Sequence, residues 1–231
     1  RMGWSVDICD IDNDALDRTK NEIYPSRYGN WDNKISLYKN EEAPIGGYDL
    51  IVIGTPPDSH MELARSAVRE GAKAVLVEKP LCSPDLSGAR ELFNEANEAN
   101  CLVFVGYDHA ISKSAIKMSE SLNNEKMGKV NTLDVEFREY WGGIFQAHPW
   151  LNGPADSYLG YWQNGGGACG EHSHAINLFQ SFAHEANMGR VEVVSSFMDY
   201  VNDGALDYDS VCLMNLKSLN CLIFLTAKEL S

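Results

Sequence analysis

The feature that most limits what this chain can fold into is a repeated alternation. Short β-forming runs, each followed by an amphipathic helical pattern, occupy the first half. Parallel strands need long crossover connections, usually helices, so such alternation predicts a parallel sheet. Ser5 to Cys9 reads as a strand ending in Asp10, with Asp12 placed to cap a helix running to about Ile23. Tyr48 to Ile53 is apolar at consecutive positions, as expected of a central strand covered on both faces. After Thr55-Pro56-Pro57, Asp58 is the expected N-cap, and Met61, Ala64, Ala67 and Val68 recur at helical spacing until Gly71. Ala74 to Val77 is the next strand. Ser83, with Pro84 behind it, is expected to start a helix carrying Leu86, Ala89, Phe93 and Ala96. Cys101 to Val105 and Ser112 to Leu122 repeat the unit.

Past Gly128 the pattern changes. Val130 to Trp141 and Val191 to Val201 partly alternate, and Val211 to Leu216 and Cys221 to Thr226 read as a hairpin around Ser218-Leu219-Asn220. One helix, about Ala168 to Ala183, is expected on this antiparallel sheet, after a non-repetitive loop from Gly142 to Gly167. The fold class is therefore α/β: a Rossmann-type doubly wound parallel sheet, then an α+β domain with a mostly antiparallel sheet. The expected boundary separates residues 1–123 from 124–231.

Charge removes several partner classes. Thirty-three acidic against nineteen basic residues give −14, a field that repels nucleic-acid phosphates and anionic lipid heads. No apolar run has the length of a membrane span. The six cysteines form no C-x-x-C pair and read as reduced thiols, which points to the cytoplasm. The chain starts almost directly in a strand pattern and stops just after another, so a longer protein cut at both ends is expected.

Open parallel sheets bind ligands beyond the carboxyl ends of their strands, so strand-end residues are the first candidates. Asp10 ends the first strand. In a dinucleotide-binding domain an acid there accepts from ribose hydroxyls and repels a 2′-phosphate, which favours NAD over NADP; elsewhere it is a helix-capping carboxylate. The glycine fingerprint G-x-G-x-x-G does not occur in the strand–helix half, residues 1–123, and belongs roughly 25–30 residues upstream of Arg1, one βα unit earlier. Thr55-Pro56-Pro57-Asp58-Ser59-His60 and Glu78-Lys79-Pro80 follow consecutive strands and share one rim. An ammonium at such a mouth can hold a substrate hydroxyl and stabilise charge developing on its oxygen, although an isolated lysine is usually a solvated surface charge.

These segments, TPPDSH, VLVEKPL and VFVGYDH in that order, resemble the Gfo/Idh/MocA family of NAD(P)-dependent oxidoreductases. The likeness implies a missing first βα unit and cofactor contacts from Asp10, Thr55, Pro56, His60, Glu78 and Lys79, with Lys79 also catalytic. It implies NAD as the cofactor, NADP being the other choice, and a homo-oligomer built on the antiparallel sheet. Tyr107 and His109 fall in the third motif, where Asp108-His109-Ala110 departs from the usual pattern by lacking its arginine and proline.

Gly165-Gly166-Gly167-Ala168-Cys169-Gly170-Glu171-His172-Ser173-His174 resembles the family's glycine-rich turn and helix, whose histidine accepts the proton. Aligning His174 with that histidine leaves Gly170 where an aspartate is expected. Glu171, three residues before His174, is then expected to touch the imidazole across one helical turn. His172 lies about 200° around an ideal helix from His174 and is expected to point elsewhere. Cys169, Glu171, His172 and His174 could ligate a metal, but diverging histidines do not converge on an ion, so none is expected.

The loop before this helix holds Trp141, Trp150, Tyr161 and Trp162 among His148, Asn152, Asp156 and Gln163. Aromatics are usually core, yet rings interspersed with polar groups suit a sugar or polyol. Trp141, His148, Trp150 and Trp162, with Tyr107 and His109, are the expected substrate contacts. The resulting function is hydride transfer between a sugar or polyol hydroxyl and nicotinamide. A non-catalytic nucleotide- or sugar-binding regulator of the same fold is the alternative, and glycoside cleavage through transient oxidation a third reading.

Overall fold

The computed structural model describes residues 2–124, 128–189, 191–203, 206–218 and 221–229. The chain divides into two compact units, residues 1–47 and 48–231.

In the first unit β1 (Val6–Asp10) pairs in parallel with β2 (Ile35–Lys39), Val6 opposite Ile35. The Asp12 carboxylate accepts from the Asp14 N–H and starts α1 (Asn13–Arg18), as expected. The helix does not stop at Ile23. It widens into a π-helical turn (Thr19–Ile23) and continues as α2 (Tyr24–Tyr28) until Gly29 turns at φ +80°. Proline lacks the N–H that a continuing ladder needs, and the π turn lets Pro25 fall in a new first turn.

In the second unit β3 (Leu50–Ile53), β4 (Ala74–Val77) and β5 (Leu102–Val105) form a parallel sheet in that order. Helices α3 (Pro57–Arg69) and α4 (Ala89–Ala99) cover one face, closing a core of Ile53, Val75, Val77, Ala64, Val68, Leu92 and Ala96. Leu50, Val52, Leu102 and Phe104 point to the other face and are exposed, so β3 is not covered on both sides. Two helix starts also differ from the sequence reading. Pro56, not Asp58, is the N-cap of α3, because Pro57 takes the first helical position. Leu86 adopts a left-handed φ of +58° and Gly88 caps at +82°, so α4 begins at Ala89 and leaves Leu86 and Phe93 in solvent. Ser112 caps α5 (Lys113–Leu122) by accepting from the Ala115 N–H.

The second sheet runs β6 (Leu133–Glu139), β9 (Cys221–Glu229), β8 (Leu206–Ser218), β7 (Val191–Asp203). It is antiparallel except for the β6–β9 pair. Ser218 pairs with Cys221 at the expected hairpin, whose turn residues Leu219 and Asn220 lie outside the described residues. The loop after β6 is more ordered than its sequence indicates: α6 (Gly142–Ala147) is followed by three 3-10 turns. The expected single helix is two, α7 (Gly167–Glu171) and α8 (Ser173–Glu185), broken at His172. Phe179, Ala175 and Ala183 of α8 pack on Leu133, Val135 and Phe137.

Candidate active site

The carboxyl ends of β3, β4 and β5 carry the three strand-end motifs, and backbone bonds hold them side by side. Glu78 N–H donates to the Ile53 carbonyl and Gly106 N–H to that of Val77. A Cβ on Gly106 would sit 3.0 Å from the Glu78 carboxylate, so the two strand ends meet closely there. Thr55 and Pro56 are exposed at the end of β3 and open to a ligand. His60 is not. It is fully buried, with Nδ1 3.0 Å from the Pro80 carbonyl and Nε2 2.7 Å from that of Thr55. Instead of contacting a cofactor, it ties the first strand-end motif to the second. Asp10 belongs to the first unit; its Oδ1 accepts from the Asp12 N–H at the end of β1.

Lys79 points into the second half of the unit. Its Nζ lies 2.7 Å from Glu171 Oε1 and donates to the Glu171 carbonyl at 3.2 Å, and the two side chains are only 14% and 13% exposed. The other carboxylate oxygen, Oε2, accepts from the Tyr158 hydroxyl at 2.7 Å. Burial pushes the Glu171 carboxyl up, but Lys79, Tyr158 and His172 outweigh it and hold it below the ordinary value. Burial raises the Tyr158 phenol, as does its acceptor Glu171, so it stays a donor.

Glu171 therefore pairs with Lys79 and Tyr158 instead of fixing His174. The break at His172 removes the continuous helix on which the expected contact relied. It also brings the two histidines to one ring: His172 stacks on Phe137 at 5.2 Å and His174 at 6.0 Å, so they do not diverge. His172 is fully buried, its Nδ1 3.3 Å from Glu139 Oε2. His174 stacks on His109 at 4.1 Å and meets the Tyr107 ring edge-on at 5.7 Å, so two expected substrate residues do join it. Burial, with His109 and Lys79 nearby, lowers His174 to about 4, leaving the ring unprotonated at neutral pH. Burial lowers His172 to about 4 as well. Glu139 is raised by burial and by the Glu171 charge.

Asp108 Oδ1 stands 3.9 Å from both His109 Nε2 and His174 Nδ1. These three residues could offer ligand atoms to one ion, a set different from that weighed in the sequence. Stacked imidazoles, however, aim their in-plane lone pairs alongside each other instead of at one point, which suits a metal poorly.

The aromatic loop divides. Trp141 is 2% exposed and packs with Leu159 and Tyr208, so it is core and no substrate contact. Trp162 is held by its Nε1–H donating to Asp207 at 3.1 Å and keeps an exposed face. His148 binds back to the Ile144 carbonyl and meets Trp150 edge-on at 5.2 Å. Sequence reasoning passed over Tyr158, a further ring of the same loop, and Glu139, whose sole signal is its place at the end of an alternating strand.

Residues 6–107 match the model of an oxidoreductase family with an NAD-binding Rossmann fold. Two curated relatives are an uncharacterized oxidoreductase YhhX of Escherichia coli, 30% identical over 102 residues, and an uncharacterized oxidoreductase C26H5.09c of Schizosaccharomyces pombe, 33% over 121. These matches span 44% and 52% of the chain, but only 29% and 32% of the relatives' lengths. The fold is similar to that of the WlbA dehydrogenase from Bordetella pertussis, solved with NADH and UDP-GlcNAcA. The TM-score is 0.74 at 18% identity, covering 98% of this chain and 59% of that one.

Proposed function

Since residues 6–107 match the model of the Gfo/Idh/MocA oxidoreductase family with its NAD-binding Rossmann fold, we propose that the protein transfers hydride between a sugar or polyol hydroxyl and NAD. The observation that carries this reading is the cluster beyond the β4 and β5 ends, where Lys79 is oriented by Glu171 and its charge bears on an unprotonated His174.

In the oxidation direction His174 takes the proton of the substrate hydroxyl, a role typically worth ~10²–10⁴-fold. Lys79 donates to the same oxygen and stabilises the charge that develops on it. Glu171 holds the ammonium in place through its carboxylate and its backbone carbonyl. Tyr107 and His109 flank the base and limit the poses open to the sugar. NAD, when bound, supplies the hydride chemistry. The residues of the second unit suited to hold it are Thr55 and Pro56, exposed at the β3 end. Glu78 is exposed on the same rim. Trp162, Trp150 and His148 are the loop groups left for the sugar.

The reading includes a second copy packed on the sheet, where Phe197 and Leu213 are exposed cross-strand partners. Among the described residues no helix is long and apolar enough to cross a membrane.

The test is to mix the full-length protein with NAD and a panel of sugars and polyols and follow nicotinamide absorbance. Lys79→Ala and His174→Ala should each lower turnover by at least about tenfold. Turnover that neither substitution lowers overturns the assignment.

A further inference from the structure

Lys79 has three ammonium N–H donors. Glu171 occupies two, through Oε1 and its backbone carbonyl. Which direction the third takes depends on how firmly the carboxylate is held, since a carboxylate gripped at one oxygen can turn about its own axis. The grip at the second oxygen comes from outside the motifs: the Tyr158 hydroxyl, at 2.7 Å on Oε2.

Tyr158 is itself fixed at both ends. Its backbone opens the 3-10 turn Tyr158–Gly160, capped by Ser157 and anchored by buried Leu159 against Trp141 and Tyr208. A Cβ on Gly166 would lie 2.1 Å from the Tyr158 carbonyl, and one on Gly160 2.7 Å from that of Pro154, so the loop closes on itself without room for side chains. A Cβ on Gly165 would stand 3.1 Å from Pro57 and from Pro80, so the loop rests on the strand-end motifs that carry Lys79. A rigid loop thus presents one donor to the carboxylate that orients the ammonium.

We propose that Tyr158 is a positioning residue for the reaction: by holding Glu171 Oε2 it sets the carboxylate so that Lys79 keeps one N–H for the substrate oxygen. The inference rests on the role of Lys79 proposed above. It makes the aromatic loop part of the catalytic apparatus through a hydrogen bond, in addition to any contact with sugar. A positioned donor that matters most as charge builds on the substrate oxygen acts on kcat more than on KM.

Tyr158→Phe removes the donor and keeps the ring. In the full-length protein it should lower kcat by about tenfold while KM changes less than about twofold. The Glu171 carboxyl gives a second readout, followed as a 13C resonance of labelled glutamate and assigned by its loss in Glu171→Gln. Lys79, Tyr158, His172, His174 and Glu139 act on the Glu171 carboxyl, and Glu78, His109 and Asp108 act on those groups in turn. Only Tyr158 differs between the two proteins. Losing its bond should raise the Glu171 midpoint by about one pH unit, whereas 3-fluorotyrosine at position 158, a stronger donor of nearly the same shape, should lower it. The fluorinated protein decides the matter if the Phe variant does not fold. An unmoved midpoint, or an unchanged kcat in folded Tyr158→Phe, overturns the proposal. Turnover unaffected by Lys79→Ala and His174→Ala sinks the catalytic reading instead, and the Glu171 titration still reports whether Tyr158 holds the carboxylate.

Discussion

Replacing Glu171 by Gln should destabilise the second unit in a way that titrates away in acid. The substitution is nearly isosteric, so packing survives, but Lys79 keeps a charge that is 14% exposed with no opposite charge at 2.7 Å. Removing one member of a buried pair typically costs about 3–5 kcal/mol. Gln retains an acceptor for Tyr158, and the backbone carbonyl still accepts from Lys79. The loss should therefore fall at or just below the lower limit of that range, about 2–3 kcal/mol. Combined with Lys79→Met in a double-mutant cycle, the coupling should be about 2 kcal/mol by urea unfolding at pH 7. The sign of the pH dependence follows from Glu171, held below its ordinary value of 4.5. The unfolded chain binds this proton first as pH falls, so the pair's contribution is fully present above the unfolded value and disappears as pH drops through the folded one. The coupling should be level from pH 6 to 8 and shrink below pH 4.5. A coupling under about 0.5 kcal/mol at pH 7, or one undiminished at pH 3, would refute the view that this pair is a buried, oriented ion pair.

His174 should contribute a slope of the same sign, at higher pH. Its folded value of about 4 lies below the ordinary 6.5, so acid protonates the unfolded chain first and the unit weakens between those values. Stability of wild type relative to His174→Gln should thus fall from pH 7 to 4.5; a difference that stays flat would contradict the burial. Gly170→Ala should abolish the α7 turn, because its Cβ would lie 1.9 Å from the Gly165 carbonyl, whereas Gly143→Ala meets nothing within 4 Å. Thermal melts should show a loss of several degrees for the first and under about two for the second, and equal melts would exclude the proposed close approach.

The parallel half of the fold was legible because each strand announces itself locally. β4 matches Ala74–Val77 residue for residue, and Ser112 and Asp12 cap as their side chains dictate. The failures there are local as well: the left-handed Leu86 delays α4, and β2 hides in the mixed run Ile35–Lys39, which gains its partner only through pairing with β1. The site was less legible, because its decisive geometry is set by one non-periodic residue. On an unbroken helix Glu171 and His174 share a face and His172 points away from His174. With the helix broken at His172, Glu171 turns to Lys79, ninety-two residues earlier, and His172 joins His174 over Phe137. His60 and Trp141 show the complementary error. A residue inside a ligand-binding motif, or a ring inside a polar loop, reads as a contact, yet each is buried as a brace for the residues that remain exposed. Residue type and spacing locate a site to within a turn or two of chain. Whether a side chain faces the ligand or holds its neighbour depends on breaks such as His172 and close approaches such as Gly166, and these are settled by packing between segments distant in the sequence.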